Sequence, residues 1–217
     1  MNLPNLLTLL RIFFVPLLVA ALVMESLELR LGRWVLPHEL LALTIFLVAA
    51  ATDLLDGYLA RRWKQVTTVG TLLDPIADKL LISAALIALV QVGQVRAWMV
   101  IIIVGREFAV TGLRSIAASA GYTIQASELG KTKMVAQVVA VSLFLLGMHW
   151  TAVKPWAVGW MWCVVVVALL SAVGYFRKFW RKVDDRIKRR RRRELLRLER
   201  ARARAAVSAR GAGIRTE

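Results

Sequence analysis

The chain has 217 residues, 59% of them hydrophobic, a mean hydropathy of +0.61 and a formal net charge of +16. Apolar blocks close to the roughly 20 residues that span a hydrocarbon core exclude an ordinary soluble domain and predict one polytopic helical membrane domain. From Arg177 onward there are 17 Lys/Arg and 5 Asp/Glu, a net +12 of the +16, so basicity belongs to the tail and a nucleic-acid partner is not expected.

Six spanning helices are predicted in chain order, giving an all-α membrane fold. The first runs from Leu3 to Met24, the second from Pro37 to Arg62 and the third from Gly70 to Val92. The fourth runs from Ala97 to Ala120, the fifth from Lys131 to Trp150 and the sixth from Pro155 to Phe179. The start, MNLPNLLTLLRIFF, lacks the basic opening and cleavage site of a signal peptide and reads as a retained first span. Residues 1–180 form the membrane domain and 181–217 a basic tail. Cys163, the single cysteine, rules out an internal disulfide and reads as packing.

Orientation follows from the flanking cations. Arg61, Arg62 and Lys64 follow the second helix; Arg114, Lys131 and Lys133 flank the fourth-to-fifth connection; the tail is overwhelmingly basic. An even number of spans puts all of these with the N-terminus on the cytoplasmic face. Trp34, Trp98, Trp150 and Trp156 fall at the opposite interface as an aromatic belt, and His38 and His149 lie at helix ends there.

Asp53, Asp56, Asp74 and Asp78 interrupt this apolar pattern at the cytoplasmic ends of the second and third helices. A carboxylate near a bilayer core costs about 2.5–3.5 kcal/mol on insertion scales, so four of them need a cationic reason. Asp53 and Asp56, three apart, share one helix face; Asp74 and Asp78, four apart, share a face of the next helix. A short link makes the two helices antiparallel neighbours, so these faces can meet. Two divalent hard cations, Mg2+, Mn2+ or Ca2+, would neutralise the cluster; protonated carboxylates are the structural alternative. Gly57 and Ala60 leave room for a phosphate ester, Arg61 offers a fixed cation and Gly70 opens the third helix. Singly, each small residue also suits plain helix packing; jointly they mark a site.

The run Asp53-x2-Asp56-Gly57-x2-Ala60-Arg61-x8-Gly70-x3-Asp74-x3-Asp78 resembles, without departure, the signature of the CDP-alcohol phosphotransferases. That resemblance implies a six-helix membrane enzyme that displaces CMP from a CDP-linked lipid with an alcohol. It implies Asp53, Asp56 and Asp74 as ligands of a binuclear Mg2+ or Mn2+ site. It implies Asp78 as the general base and as a candidate further ligand. It implies a CDP pocket lined by Asp53, Asp56, Gly57, Ala60, Arg61 and Gly70. The family also tends to form homodimers.

The segment Leu3-Pro4-Asn5-Leu6-Leu7-Thr8-Leu9-Leu10-Arg11 is similar to the start of bacterial phosphatidylglycerophosphate synthases. So are Arg106-Glu107-Phe108, Leu113-Arg114, Gly130-Lys131-Thr132-Lys133 and Gln137. This branch implies CDP-diacylglycerol as donor, sn-glycerol 3-phosphate as acceptor and the bacterial inner membrane as location. A small dianionic acceptor needs cations, and Arg114, Lys131 and Lys133, with Arg106, form the expected acceptor-phosphate pocket. The bland alternative is cytoplasmic anchoring plus an Arg106–Glu107 pair. Thr8 and Arg11, within the first helix, face the nucleotide on one reading; on another, Arg11 snorkels or pairs with a helix. Asn5 caps the helix start.

The tail, with five consecutive arginines from Arg189 to Arg193, favours helix and suits an anionic membrane surface, or else is a solvated topology anchor. Competing readings are another member of the family, a cardiolipin synthase or phosphatidylinositol-phosphate synthase, and, from another class, a cation transporter.

Overall fold

A computed structural model describes the backbone of residues 3–24, 29–31, 34–63, 68–119, 121 and 129–213. Side chains are described in the same segments except at 3–5, 29–31, 34–35, 53–63, 68–75, 78, 129–132, 185–187, 189–190 and 193–213. Six helices dominate: α1 (Leu3–Val23), α2 (His38–Trp63), α3 (Thr68–Gln91), α4 (Ala97–Ser119), α5 (Leu129–His149) and α6 (Lys154–Gly213). Five of the six match the sequence reading to within about two residues at each end.

Two features depart from that reading. The α1–α2 connection holds a short antiparallel ribbon, β1 (Leu29–Leu31) on β2 (Trp34–Leu36), with Leu29 opposite Leu36. And α6 does not stop at Phe179 but runs 60 residues to Gly213. No Gly or Pro occurs between Tyr175 and Arg210, and Arg, Leu, Glu and Ala are strong helix formers. The apolar run ends there; nothing ends the backbone ladder.

Two compact units are present. The first comprises residues 1–112 and 125–172, the second 113–124 and 173–217. In the first, α1 packs on α2 and α3, and α5 packs on α2 and α3. Its core is built by Leu18 and Leu22 of α1, Phe46 of α2, Leu86 and Leu89 of α3, Leu145 of α5 and Met161 of α6. Small residues line the same core, among them Ala42, Ala49, Ala85, Ala140 and Ala157, and they let backbones approach closely, as helices packed in lipid do. Large apolar side chains also point outward: Phe13, Ile101, Phe108, Val135 and Leu170 are each more than 60% exposed. Such surface marks contact with lipid or protein. Cys163 is on this outward side rather than in the core.

Among the described residues, two stretches are long and apolar enough to cross a membrane, Leu6–Val23 and one within Thr151–Asp184. Shorter apolar helices run over His38–Thr52, Lys79–Gln91 and Lys133–His149. The aspartates fall at one end of α2 and α3, Lys131 and Lys133 open α5, and Arg106–Glu107 sit mid-way along α4.

Glycine sets the α3–α4 turn. Gly93 has φ 71°, its N–H donates to the Val90 carbonyl at 3.0 Å and the Gln94 N–H donates to Leu89 at 2.9 Å. This pair of bonds closes α3 in a Schellman motif, with glycine at its left-handed position.

Candidate active site

The backbone gathers the signature at one junction. Asp53, Asp56, Gly57, Ala60 and Arg61 occupy the second half of α2, and Gly70, Asp74 and Asp78 the first half of α3, with four residues between the helices. The two helices pack together. The carboxylates themselves, and the Gly57, Ala60, Arg61 and Gly70 positions that would line a CDP pocket, lie outside the described side chains. No cluster of three or more metal-ligating side chains occurs among the described residues. The donor set, four carboxylates, is the hard-oxygen chemistry that Mg2+ and Mn2+ take.

Thr8 and Arg11, from α1, are both described and both buried; Arg11 is wholly enclosed, so it does not snorkel. Each is engaged by a neighbour.

The four cations expected from the sequence to hold the acceptor phosphate divide. Arg106 and Lys133 are each more than 90% buried and converge on one carboxylate, Glu107. The Arg106 Nη1 donates to Glu107 Oε1 at 3.0 Å, and Lys133 Nζ pairs with the same oxygen. The second terminal nitrogen, Arg106 Nη2, donates to Ser171 Oγ on α6. One turn beyond Lys133, the buried Gln137 has an Nε2 with no partner among the described residues. The Lys131 side chain lies outside the described residues. Arg114 belongs to the second unit, where it donates to the Tyr175 hydroxyl at 2.8 Å and lies 5.3 Å from that ring's centroid. This is a charge-assisted bond reinforced by a cation–π contact.

One residue of this network, Lys79, was not among the candidates read from the sequence. Lys79, the residue after Asp78, donates through Nζ to Thr111 Oγ1 at 2.6 Å, and the Thr111 hydroxyl donates to the Glu107 carbonyl at 2.8 Å. A lysine inside an apolar helix was itself a signal, since a charge there needs a partner. His38 starts α2 beside Glu39, and His149 ends α5 against Trp150, both away from the aspartate junction in sequence and in fold.

A family model described as CDP-alcohol phosphatidyltransferase matches residues 1–172. The chain belongs to that family. It is 45% identical over 184 residues to a Bacillus subtilis relative named CDP-diacylglycerol–glycerol-3-phosphate 3-phosphatidyltransferase, covering 82% of this chain and 95% of the relative. A Rickettsia bellii relative of the same name is 38% identical over 146 residues, 67% of this chain and 76% of that one. The fold is also that of a solved relative: Mycobacterium tuberculosis phosphatidylinositol phosphate synthase in complex with manganese and citrate superposes with a TM-score of 0.55. That match has 16% identity and covers 82% of this chain and 83% of the other. At that identity the likeness concerns the fold alone.

Proposed function

We propose that this chain transfers the phosphatidyl group of CDP-diacylglycerol to sn-glycerol 3-phosphate, giving phosphatidylglycerophosphate and CMP. The observation that carries this reading is 45% identity over nearly the whole length of a relative named for that reaction. The intact aspartate run on α2 and α3 supports the CMP-displacing chemistry common to the family. A cardiolipin synthase or phosphatidylinositol-phosphate synthase is the second reading within the family; the fold match at 16% identity concerns fold alone and does not favour it. A cation transporter is not compatible with the family.

The proposed setting is a bacterial inner membrane crossed by all six helices, with both termini and the aspartates cytoplasmic. Outward apolar side chains on α1, α4, α5 and α6 support the bilayer, and the cations after α2, around α5 and along the tail support the orientation. A homodimer is part of the proposal on family grounds. The stretch 181–217 reads as a basic cytoplasmic arm of the catalytic domain, held near anionic lipid by its charge.

Asp53, Asp56 and Asp74, with Asp78 at the same junction, would hold two divalent ions. Bound there, Mg2+ or Mn2+ would offset charge on the pyrophosphate and on the departing CMP. Gly57, Ala60 and Gly70 leave room for the nucleotide; Arg61 and Thr8 offer donors to its phosphates. Asp78 takes the proton from the acceptor hydroxyl, whose oxygen attacks the lipid-proximal phosphorus as the bond to CMP breaks. Arg106, Lys131 and Lys133 hold the acceptor's phosphate, and Arg114 carries the same assignment from its place in the sequence.

CMP release by the purified protein, with CDP-diacylglycerol and each candidate acceptor in turn, tests the reaction. Turnover confined to glycerol 3-phosphate is the expected result; turnover with phosphatidylglycerol or inositol phosphate instead would overturn the acceptor. Chelation should abolish CMP release, and Mg2+ or Mn2+ should restore it; activity that survives exhaustive chelation would remove the metals. Arg114→Gln and Lys131→Gln should each raise the acceptor KM by about tenfold, the size of one lost charge-assisted contact, with little change in the CDP-lipid KM. Equal movement of both constants would return these residues to simple topological anchoring.

A further inference from the structure

We infer that Glu107 is a positioning residue that fixes the spacing of Arg106 and Lys133 and ties both to the helix that carries Asp78. The inference rests on the reading of those two cations as the holders of the acceptor's phosphate.

Four helices are joined by a chain of contacts on which Glu107 lies. Its Oε1 takes Arg106 Nη1, its neighbour on α4, and Lys133 Nζ from α5. Arg106 is then held from its far side by Ser171 of α6. At the other end of the same residue, the Glu107 carbonyl accepts from Thr111, and Thr111 accepts from Lys79 of α3. Lys79 follows Asp78 directly in the chain. The strut therefore runs from the proposed base, along α3 and through Thr111, to the two cations.

The physical need is plain. A lysine has four rotatable bonds, and its ammonium carries no geometry of its own; two neighbouring buried cations repel. A single carboxylate oxygen between them cancels the repulsion and fixes the separation. An acceptor carries its phosphate at one end and its attacking hydroxyl at the other. A frame that joins phosphate cations to base fixes the span between those ends, so it selects acceptors by length and holds the hydroxyl for attack. Thr111 belongs to the frame because it bonds both the lysine and the carbonyl.

The test is the steady-state CMP-release assay on the full chain, with each substrate varied separately. Glu107→Asp keeps the charge and withdraws it by one methylene. It should raise the glycerol 3-phosphate KM by about tenfold or more, as loss of a supporting contact commonly does, and leave the CDP-diacylglycerol KM within about twofold. Thr111→Val, similar in shape but without the hydroxyl, should move the acceptor KM the same way by a smaller factor. Where Glu107→Asp does not give folded protein, Thr111→Val decides by the same split. Both KM values rising together, or neither moving while the unaltered protein uses glycerol 3-phosphate, overturns the positioning role. Arg106→Gln and Lys133→Gln run alongside. If neither raises the acceptor KM, the phosphate reading has failed and this inference with it. If they do and Glu107→Asp does not, only the inference has failed.

Discussion

Asp78→Asn should lower the turnover number for CMP release by about 10²–10⁴, the range that a positioned general base contributes, while binding of CDP-diacylglycerol persists. Asparagine keeps the size and one oxygen of the side chain and loses the ability to take a proton. The three other aspartates provide the contrast. Asp53→Asn, Asp56→Asn and Asp74→Asn each remove a ligand from the proposed metal site, so they should weaken CDP-lipid binding and raise the Mg2+ or Mn2+ concentration needed for activity. Single-turnover CMP release together with CDP-lipid binding separates the two classes. An Asp78→Asn protein that keeps its rate would pass the base to another group. One that loses CDP-lipid binding together with rate would place Asp78 among the ligands alone.

The parts of this fold that were legible from sequence are those written in local chemistry. The α3 end falls where Gly93 adopts positive φ, and the α2 start falls just after Pro37. The backbone placement of the aspartates at the α2–α3 junction was readable because it needs only two apolar helices and a short link. The Arg106–Glu107 pair was readable because the residues adjoin. What escaped depends on contacts distant in sequence: Lys79 meets Thr111 32 residues away, Arg114 meets Tyr175 61 away, and Arg106 meets Ser171 65 away. Glu107 read as the partner of one arginine and proves to serve Lys133 as well. The end of α6 escaped for another reason. Hydropathy marks where an apolar run stops, whereas a helix stops at a breaker, and the arginine stretch contains none. The ribbon at Leu29–Leu36 is too short, at three residues a strand, for alternation to announce it.

Glu107→Leu should destabilise the chain more than removal of either cation that it holds. Loss of one member of a buried, hydrogen-bonded charge group costs about 3–5 kcal/mol, because the remaining charge keeps its desolvation penalty without its partner. Here two buried cations would be left facing each other. The Glu107 side chain retains 18% exposure, which lets water soften the loss and favours the lower end, about 3 kcal/mol. Arg106→Met should cost less, because Glu107 keeps Lys133, and Lys133→Met less as well, because Glu107 keeps Arg106. The decisive variant is the double one. Combining Glu107→Leu with Lys133→Met removes one of the stranded cations along with the carboxylate, so it should be more stable than Glu107→Leu alone even though it carries an additional substitution. Residues that share a partner couple in this non-additive way, by about 0.5–3 kcal/mol. Denaturant titration of the purified protein in micelles, followed by helical circular dichroism, reads the order directly. If the double variant falls by the sum of the two single losses, Glu107 and Lys133 do not act on each other. The pairing that joins α4 to α5 would then have to be withdrawn.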